Sequence, residues 1–178
     1  FFFFFWNYRR VISHYAEIAS PLTSLLKKGV RFMWISDCQG AFEALRAALT
    51  TPPVLAMPAD EGLMVLDTDA SDRSIGAVLS QVQGGEERVI AYASRVLRPA
   101  EVRYCVTRRE LLAIIVFTKA FRQYILGRRF RLRTDHAALT WLQRTKEPIG
   151  QNARWLEQLG EYDFEIVHRP GTKHANAD

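Results

Sequence analysis

Four acidic residues occupy positions along the chain that are unusual for an acid. Asp69 and Asp135 each end an apolar strand pattern, and Glu110 interrupts an apolar helical run. Asp178 is the last residue of the sequence. A buried carboxylate costs free energy unless a positive charge compensates it. Mg²⁺ prefers oxygen ligands of this kind, and two such ions form the usual clamp for phosphodiester hydrolysis. The four acids are therefore candidate ligands of a two-metal site.

Each acid taken alone also has a structural explanation. Asp69 can cap the turn after its strand, and Asp135 can cap the helix that follows it. Thr107 and Glu110 have the spacing of a capping box, although Glu110 also lies on the apolar stripe of its helix. These alternatives stay open residue by residue. The four acids together indicate a shared site more specifically than any one of them. Two lie at strand ends, one in the first turn of a helix and one in a terminal turn, and all of these can reach one edge of a sheet.

The elements that must position these acids fall into two parts, with a boundary after residue 56. In residues 1–56, apolar spacing predicts a helix over Asn7–Leu26 that Pro21 divides in two. Ser36–Gln39 has the pattern of a capping box and predicts the start of another helix, which Thr51–Pro53 ends. The first part is therefore a small helical segment.

Residues 57–178 carry the pattern βββαβαβ. Short turns between the first three strands predict an antiparallel meander, and helical crossovers predict parallel pairing for the last two strands. The fold class is therefore α/β, with a mixed five-stranded sheet flanked by helices. The predicted strands are Leu63–Asp69, Ser74–Val82, Arg88–Ser94, Phe130–Thr134 and Tyr162–Val167, and the predicted helices are Thr107–Leu126, Ala137–Leu142 and Asn152–Leu159.

Composition indicates a folded basic domain. The chain has 178 residues, 48% of them hydrophobic, a formal net charge of +5 and a pI near 9.5. That charge suits a nucleic-acid partner, but a basic domain without a polyanionic partner fits it equally well. Arg129, Arg131 and Arg133 share a strand face, where they can contact phosphates or pair with nearby acids.

Cysteine usage and hydropathy predict an intracellular protein with no membrane partner. Cys38 and Cys105 are the only cysteines, far apart and outside any CxxC pattern, so we expect reduced thiols. No apolar run approaches the roughly 18 residues that span a bilayer. The aromatic run Phe1–Trp6 lacks the basic region and cleavage site of a signal peptide.

Several motifs, in order, resemble the RNase H domain of gypsy-type LTR-retrotransposon reverse transcriptases. They are Thr68–Ser71, Ile75–Gln81, Ala91–Arg95, Arg109–Ile114, Thr134–Leu139, Trp141–Leu142, His168–Gly171 and His174–Asp178. The front piece is similar to the end of the thumb and connection segment of the same enzymes, through Asn7–Arg10, Pro21–Gly29 and Phe32–Trp34. The resemblance thus implies a thumb/connection tail over 1–56 and an RNase H-like domain over 57–178.

The resemblance implies hydrolysis of the RNA strand of an RNA/DNA hybrid with two Mg²⁺ ions, or Mn²⁺ in their place. Asp69 would bridge both ions, Glu110 and Asp135 would hold one each or share them, and Asp178 would ligate the second. The implied partners are the hybrid and the remainder of a reverse transcriptase or pol polyprotein, in the cytoplasm, in retroelement particles or in the nucleus. Candidate substrate-binding residues are Ser71, Tyr92, Ser94, Arg95, His136, His168 and His174.

Three departures from the family pattern support an alternative function. Phe1–Phe5 do not match the family, the Asp-Asp pair of a polymerase site is absent, and the helix expected after Asp178 is missing. We therefore expect a piece of a longer protein in which the RNase H-like domain is truncated before its last helix. The alternative is a decayed or domesticated retroelement fragment that acts as a non-catalytic nucleic-acid-binding or structural module.

Overall fold

The N-terminal part of the chain forms a small helical unit. The computed structural model describes residues 12–50, 55–134 and 150–168. Within residues 12–50 the unit has three helices: α1 Tyr15–Ile18, α2 Ser20–Ser24 and α3 Ser36–Thr50. Ala19 separates α1 from α2, and Pro21 lies in the first turn of α2, where a missing N–H costs nothing. The predicted division at Pro21 is confirmed, whereas Asn7–Val11 lie outside the described residues.

The predicted mixed sheet is confirmed. Its spatial order is β3-β2-β1-β4-β5, with β1, β2 and β3 antiparallel and with β4 and β5 parallel to β1. Its strands are β1 Met64–Ala70, β2 Ser74–Gln83, β3 Glu86–Val96, β4 Phe130–Thr134 and β5 Phe164–His168. β1 therefore lies at the centre, and its carboxyl end lies beside that of β4.

Helices cover one face of this sheet. α4 Val106–Ala120 and α5 Arg122–Ile125 replace the single predicted helix Thr107–Leu126, and α6 Gln151–Leu159 follows. The helix is interrupted at Phe121, whose φ of −100° and ψ of 12° are not helical. No glycine or proline marks this break in the sequence; Phe121 is buried in the core instead. The predicted helix Ala137–Leu142 lies outside the described residues.

The two faces of the sheet differ in chemistry. Leu66 of β1 and its neighbour Leu132 of β4 lie in the apolar core with Ile114 of α4. Because side chains alternate along a strand, Asp67 and Asp69 lie on the opposite face. We call the face that carries Asp67 and Asp69 the ion-pair face.

Arginines on the ion-pair face pair with acids of neighbouring strands. Arg133 lies 3.4 Å from the Asp67 carboxylate and also pairs with Glu87. Arg131 Nε donates to the Glu165 carboxylate over 2.6 Å. Of the two alternatives for these arginines, the structure therefore supports pairing with nearby acids.

The segment before β1 already belongs to the sheet. Ala56 N–H donates to the Val89 carbonyl of β3 over 2.8 Å. The side chain of Gln81 is fully buried and holds both the N–H and the carbonyl of Ala59 through its amide. Ala56, the last residue of the predicted first part, thus bonds to the sheet, and the boundary between 56 and 57 stays a prediction.

Candidate active site

Asp69 lies at the carboxyl end of the central strand. It is partly buried, pairs in register with Gly76 of β2, and is followed by the turn Ser71–Ser74. The Ser71 N–H donates to the Ser74 carbonyl over 2.9 Å, so the turn is closed directly beyond the acid. Carboxyl ends of neighbouring parallel strands commonly line a site, and β1 has β4 as its parallel neighbour on this side.

The register of β1 and β4 leads towards the predicted position of Asp135. Asp67 pairs with Arg133 across these strands. Asp69 comes two residues after Asp67, and Asp135 comes two residues after Arg133. If the register continued unbroken, Asp69 and Asp135 would lie side by side. Asp135 lies outside the described residues, and its place in the site stays a prediction.

Glu110 is buried and does not cap its helix. α4 begins at Val106 with Cys105 as N-cap, without a side-chain capping bond. Glu110 is therefore the fifth helical residue, and the capping-box interpretation, which needs it at the third, is wrong. Its side chain is only 4% exposed and lies on the stripe that packs towards the sheet.

Arg109 ties the first turn of α4 to the turn after Asp69. Its Nη1 donates to the Ser71 carbonyl over 2.9 Å and pairs with the Asp72 carboxylate, while its Nε donates to the Tyr104 carbonyl. The hydrogen bond and positive charge of Arg109 lower the pKa of Asp72. The helix start that carries Glu110 and the strand end that carries Asp69 therefore meet at one edge of the sheet. The sequence analysis did not identify this role of Arg109. The one sequence feature that points to it is that Arg109 directly precedes Glu110.

The other predicted site residues of the sheet make contacts within the chain. Tyr92 is buried, and burial raises the pKa of its phenol. The Ser94 hydroxyl oxygen accepts the Ala16 N–H over 2.8 Å. Arg95 donates to both oxygens of Glu101, at 2.8 and 3.2 Å. Their part in substrate binding stays a prediction, as does that of Ser71.

Glu101 is a structural acid whose charge stabilises the fold. Burial raises its pKa, but hydrogen bonds from Arg95 and from the Arg98 N–H, 2.7 Å away, outweigh burial and lower the pKa below its usual range. A folded-state pKa below the unfolded one stabilises the protein above the unfolded pKa of about 4.3, and that stability is lost as pH falls through the folded value.

We therefore expect Glu101→Gln to cost about 1.5–3 kcal/mol of unfolding free energy at pH 7, the usual cost of a hydrogen bond to a charged group. The difference from wild type should begin to shrink as pH falls below the unfolded pKa of about 4.3, and it should disappear as pH falls through the lower folded value. Thermal unfolding between pH 3 and 7 measures both effects. Glu86→Gln is the control, because Glu86 pairs with Arg88 on the exposed surface. Equal losses for the two variants would contradict the prediction.

The remaining predicted residues lie at or beyond the limits of the described chain. His168 ends β5, is exposed, and pairs in register with Thr134 of β4. His136, His174 and Asp178 fall in stretches that the structure leaves undescribed. Within the described ranges no three histidine, cysteine or acidic side chains form a metal-binding group, and only Asp69 and Glu110 of the four predicted ligands lie there. Nor does any described helix have the length and apolar character needed to cross a membrane.

Comparison with known sequences gives a consistent set of relatives. The sequence profile of the family described as "RNase H-like domain found in reverse transcriptase" matches residues 60–162. The Retrovirus-related Pol polyprotein from transposon 297 of Drosophila melanogaster is 42% identical over 96% of this chain. The Transposon Tf2-3 polyprotein of Schizosaccharomyces pombe is 36% identical over 97% of it. The chain spans only 16% and 13% of these two relatives.

Solved structures share the fold. The foamy viral protease-reverse transcriptase in complex with RNA/DNA hybrid superposes with a TM-score of 0.74 at 20% identity, over 93% of this chain and 23% of that one. The same viral protein in complex with dsDNA gives 0.72 at 22% identity, over 94% and 36%. At these identities the likeness concerns the arrangement of helices and strands.

Proposed function

Because the chain belongs to the family of RNase H-like domains found in reverse transcriptase, we propose that it hydrolyses the RNA strand of RNA/DNA hybrids with the help of two divalent metal ions. The proposed catalytic and metal-binding residues are Asp69, Glu110, Asp135 and Asp178. The alternative function is that of a non-catalytic nucleic-acid-binding or structural module, which the same fold can serve.

One observation carries the proposal: the buried carboxylate of Glu110 belongs to a helix whose N-terminal part Arg109 fastens to the turn after Asp69. Glu110 does not complete a capping box, and it directly follows Arg109, whose bond to the Ser71 carbonyl brings this part of the helix beside the turn after Asp69. Carboxylates that converge from such positions would be suitable ligands of catalytic metal ions.

The donor set suits Mg²⁺. All four proposed ligands are carboxylates, whose hard oxygens match that ion and also Mn²⁺. When bound, a pair of such ions supplies charge stabilisation at the phosphoryl group undergoing displacement. The chain's own contribution is placement: β1 pairing with β2 fixes Asp69, and the core packing of α4 fixes Glu110.

We further propose that the chain acts as part of a retrotransposon pol polyprotein. Its relatives are several times longer and are polyproteins by name. Residues 1–56 would form the tail of the thumb and connection segment, and 57–178 the RNase H-like domain. The partners are then the RNA/DNA hybrid and the rest of the polyprotein.

The purified chain, incubated with a labelled RNA/DNA hybrid with and without Mg²⁺, tests the proposal. We expect cleavage of the RNA strand only when metal is present, products with 5′-phosphate and 3′-hydroxyl ends, and no cleavage of single-stranded RNA or duplex DNA. Chelation with EDTA should stop the reaction. Binding of the hybrid without cleavage in either Mg²⁺ or Mn²⁺ would favour the non-catalytic module.

Hybrid affinity should fall steeply with salt and depend little on sequence, because the contacts expected are mainly to phosphates. With about four phosphates contacted, a fourfold rise in salt should weaken binding by roughly 100-fold. Fluorescence anisotropy at two salt concentrations, with two hybrids of equal length and different sequence, measures both effects. Equal affinity at the two salt concentrations would rule out phosphate-dominated binding.

A further inference from the structure

The N-terminal helical unit contacts the turn that follows Asp69. Glu17 of α1 accepts hydrogen bonds at its Oε1 from the hydroxyls of Ser71, over 3.0 Å, and of Ser74. These two serines open and close the turn between β1 and β2. A carboxylate from the first part of the chain therefore reaches within two residues of a proposed metal ligand in the second.

A second contact fixes α1 on the same side of the sheet. Ala16 N–H donates to the Ser94 hydroxyl of β3 over 2.8 Å. Ser94 pairs in register with Gly76 of β2, which in turn pairs with Asp69. Ser94 and Asp69 thus share the ion-pair face, and α1 lies over β3 beside the strand end that carries the acid.

Glu17 can act on the turn through the hydroxyl protons of Ser71 and Ser74. When the Ser71 and Ser74 hydroxyl protons both point at the carboxylate, the lone pairs of Ser71 Oγ are left for backbone donors. The Ser74 N–H and the Arg73 N–H both donate to that oxygen, at 3.0 and 3.3 Å. Ser71 Oγ also lies 3.2 Å from the Ser74 carbonyl and 3.1 Å from Ser74 Oγ, so the Glu17 carboxylate competes with these groups for the hydroxyl protons and biases their orientation.

From this network we infer that Glu17 is a positioning residue for the proposed active site, acting through Ser71 and Ser74 on the turn that follows Asp69. The inference rests on the proposed function and adds to it a dependence of the catalytic edge on the preceding helical unit. Side-chain exposure of Glu17 is 44%, and partly exposed polar contacts contribute little to global stability. Its effect should therefore be local to the turn.

Hydrogen–deuterium exchange of the full chain tests the contact without any need for activity. Glu17→Ala should speed exchange of the amides of Arg73 and Ser74 several-fold with almost no change in Tm. Glu17→Gln should restore most of the protection, because its amide oxygen still accepts both hydroxyls. Glu43→Ala is the matched control, since Glu43 is an exposed helical acid that accepts a hydrogen bond from the exposed Gln39 of the same helix. Equal exchange in wild type and Glu17→Ala would overturn the inference.

Hybrid cleavage by the same variants tests the consequence. We expect Glu17→Ala to lower kcat about 3- to 10-fold and to raise the Mg²⁺ concentration needed for half-maximal rate, with KM nearly unchanged. Glu17→Gln should recover most of the rate. A wild-type chain that cleaves and a Glu17→Ala chain that cleaves equally well would overturn the positioning role alone. A wild-type chain that cleaves no hybrid would instead overturn the proposed function.

Discussion

Hybrid cleavage is expected to fall by roughly 100- to 1,000-fold when Asp69 is replaced by Asn, the range seen when one charge-stabilising group is removed from an active site. The substitution removes a ligand charge and keeps the shape of the side chain. Strand pairing of β1 with β2 and β4 does not involve the carboxylate, so the fold and hybrid affinity should persist. Single-turnover cleavage with hybrid binding in parallel measures both effects.

Asp67→Asn is the matched control for this prediction. Asp67 lies on the same strand and the same face, two residues earlier, and its carboxylate pairs with Arg133 at 3.4 Å. That ion pair explains Asp67 as a structural acid, so the variant should keep much of the activity and lose some stability. An inactive Asp67→Asn chain together with an active Asp69→Asn chain would show that the ligand had been assigned to the wrong acid.

Glu110→Gln is expected to remove cleavage to a similar extent, because the neutral amide keeps the size of the side chain but lacks the charge of a metal ligand. Adding Mg²⁺ should raise the Tm of wild type, because a ligand that binds only the folded state stabilises it. The variant should lack most of that rise. Thermal unfolding with and without Mg²⁺ therefore reports on the ligand role independently of cleavage.

Glu101→Gln provides the contrast to Glu110→Gln. Both acids are buried, and Glu101 forms an ion pair with Arg95 away from the proposed metal ligands. Its variant should lose stability, keep kcat when assayed below its Tm, and retain the full Mg²⁺-dependent rise. If the two variants instead showed the same pattern, Glu110 would be a structural acid and the non-catalytic alternative would gain support.

The positions that sequence patterns predicted well are those fixed by local periodicity. The strand Leu63–Asp69 was predicted from its local pattern, and the two-residue period of a strand predicted the shared face of Asp67 and Asp69. Crossover connections predicted parallel pairing of β4 and β5, which the structure confirms. The helical period likewise predicted that Glu110 lies on the apolar stripe of its helix, and the burial of Glu110 is confirmed.

Features that depend on distant partners were not accessible from the sequence. Thr107 and Glu110 match a capping box, yet the N-cap of α4 is Cys105, two residues before the Thr107 that the pattern requires. Ser71 and Ser94 were candidate substrate-binding residues, but Glu17 and Ala16 reach them from more than fifty residues away. Arg95 likewise has a partner, Glu101, that only the fold of the intervening segment brings close.

The central place of β1 has a consequence for synthesis. Its edge towards β4 closes only when Phe130 can pair with Met64. At about 5–20 residues per second, a growing chain would expose that edge for several seconds after β1 itself has emerged. Unpaired apolar strands are sites of intermolecular association. Slow elongation through residues 70–130 should therefore lower the yield of folded protein, and the aggregates should form through β1.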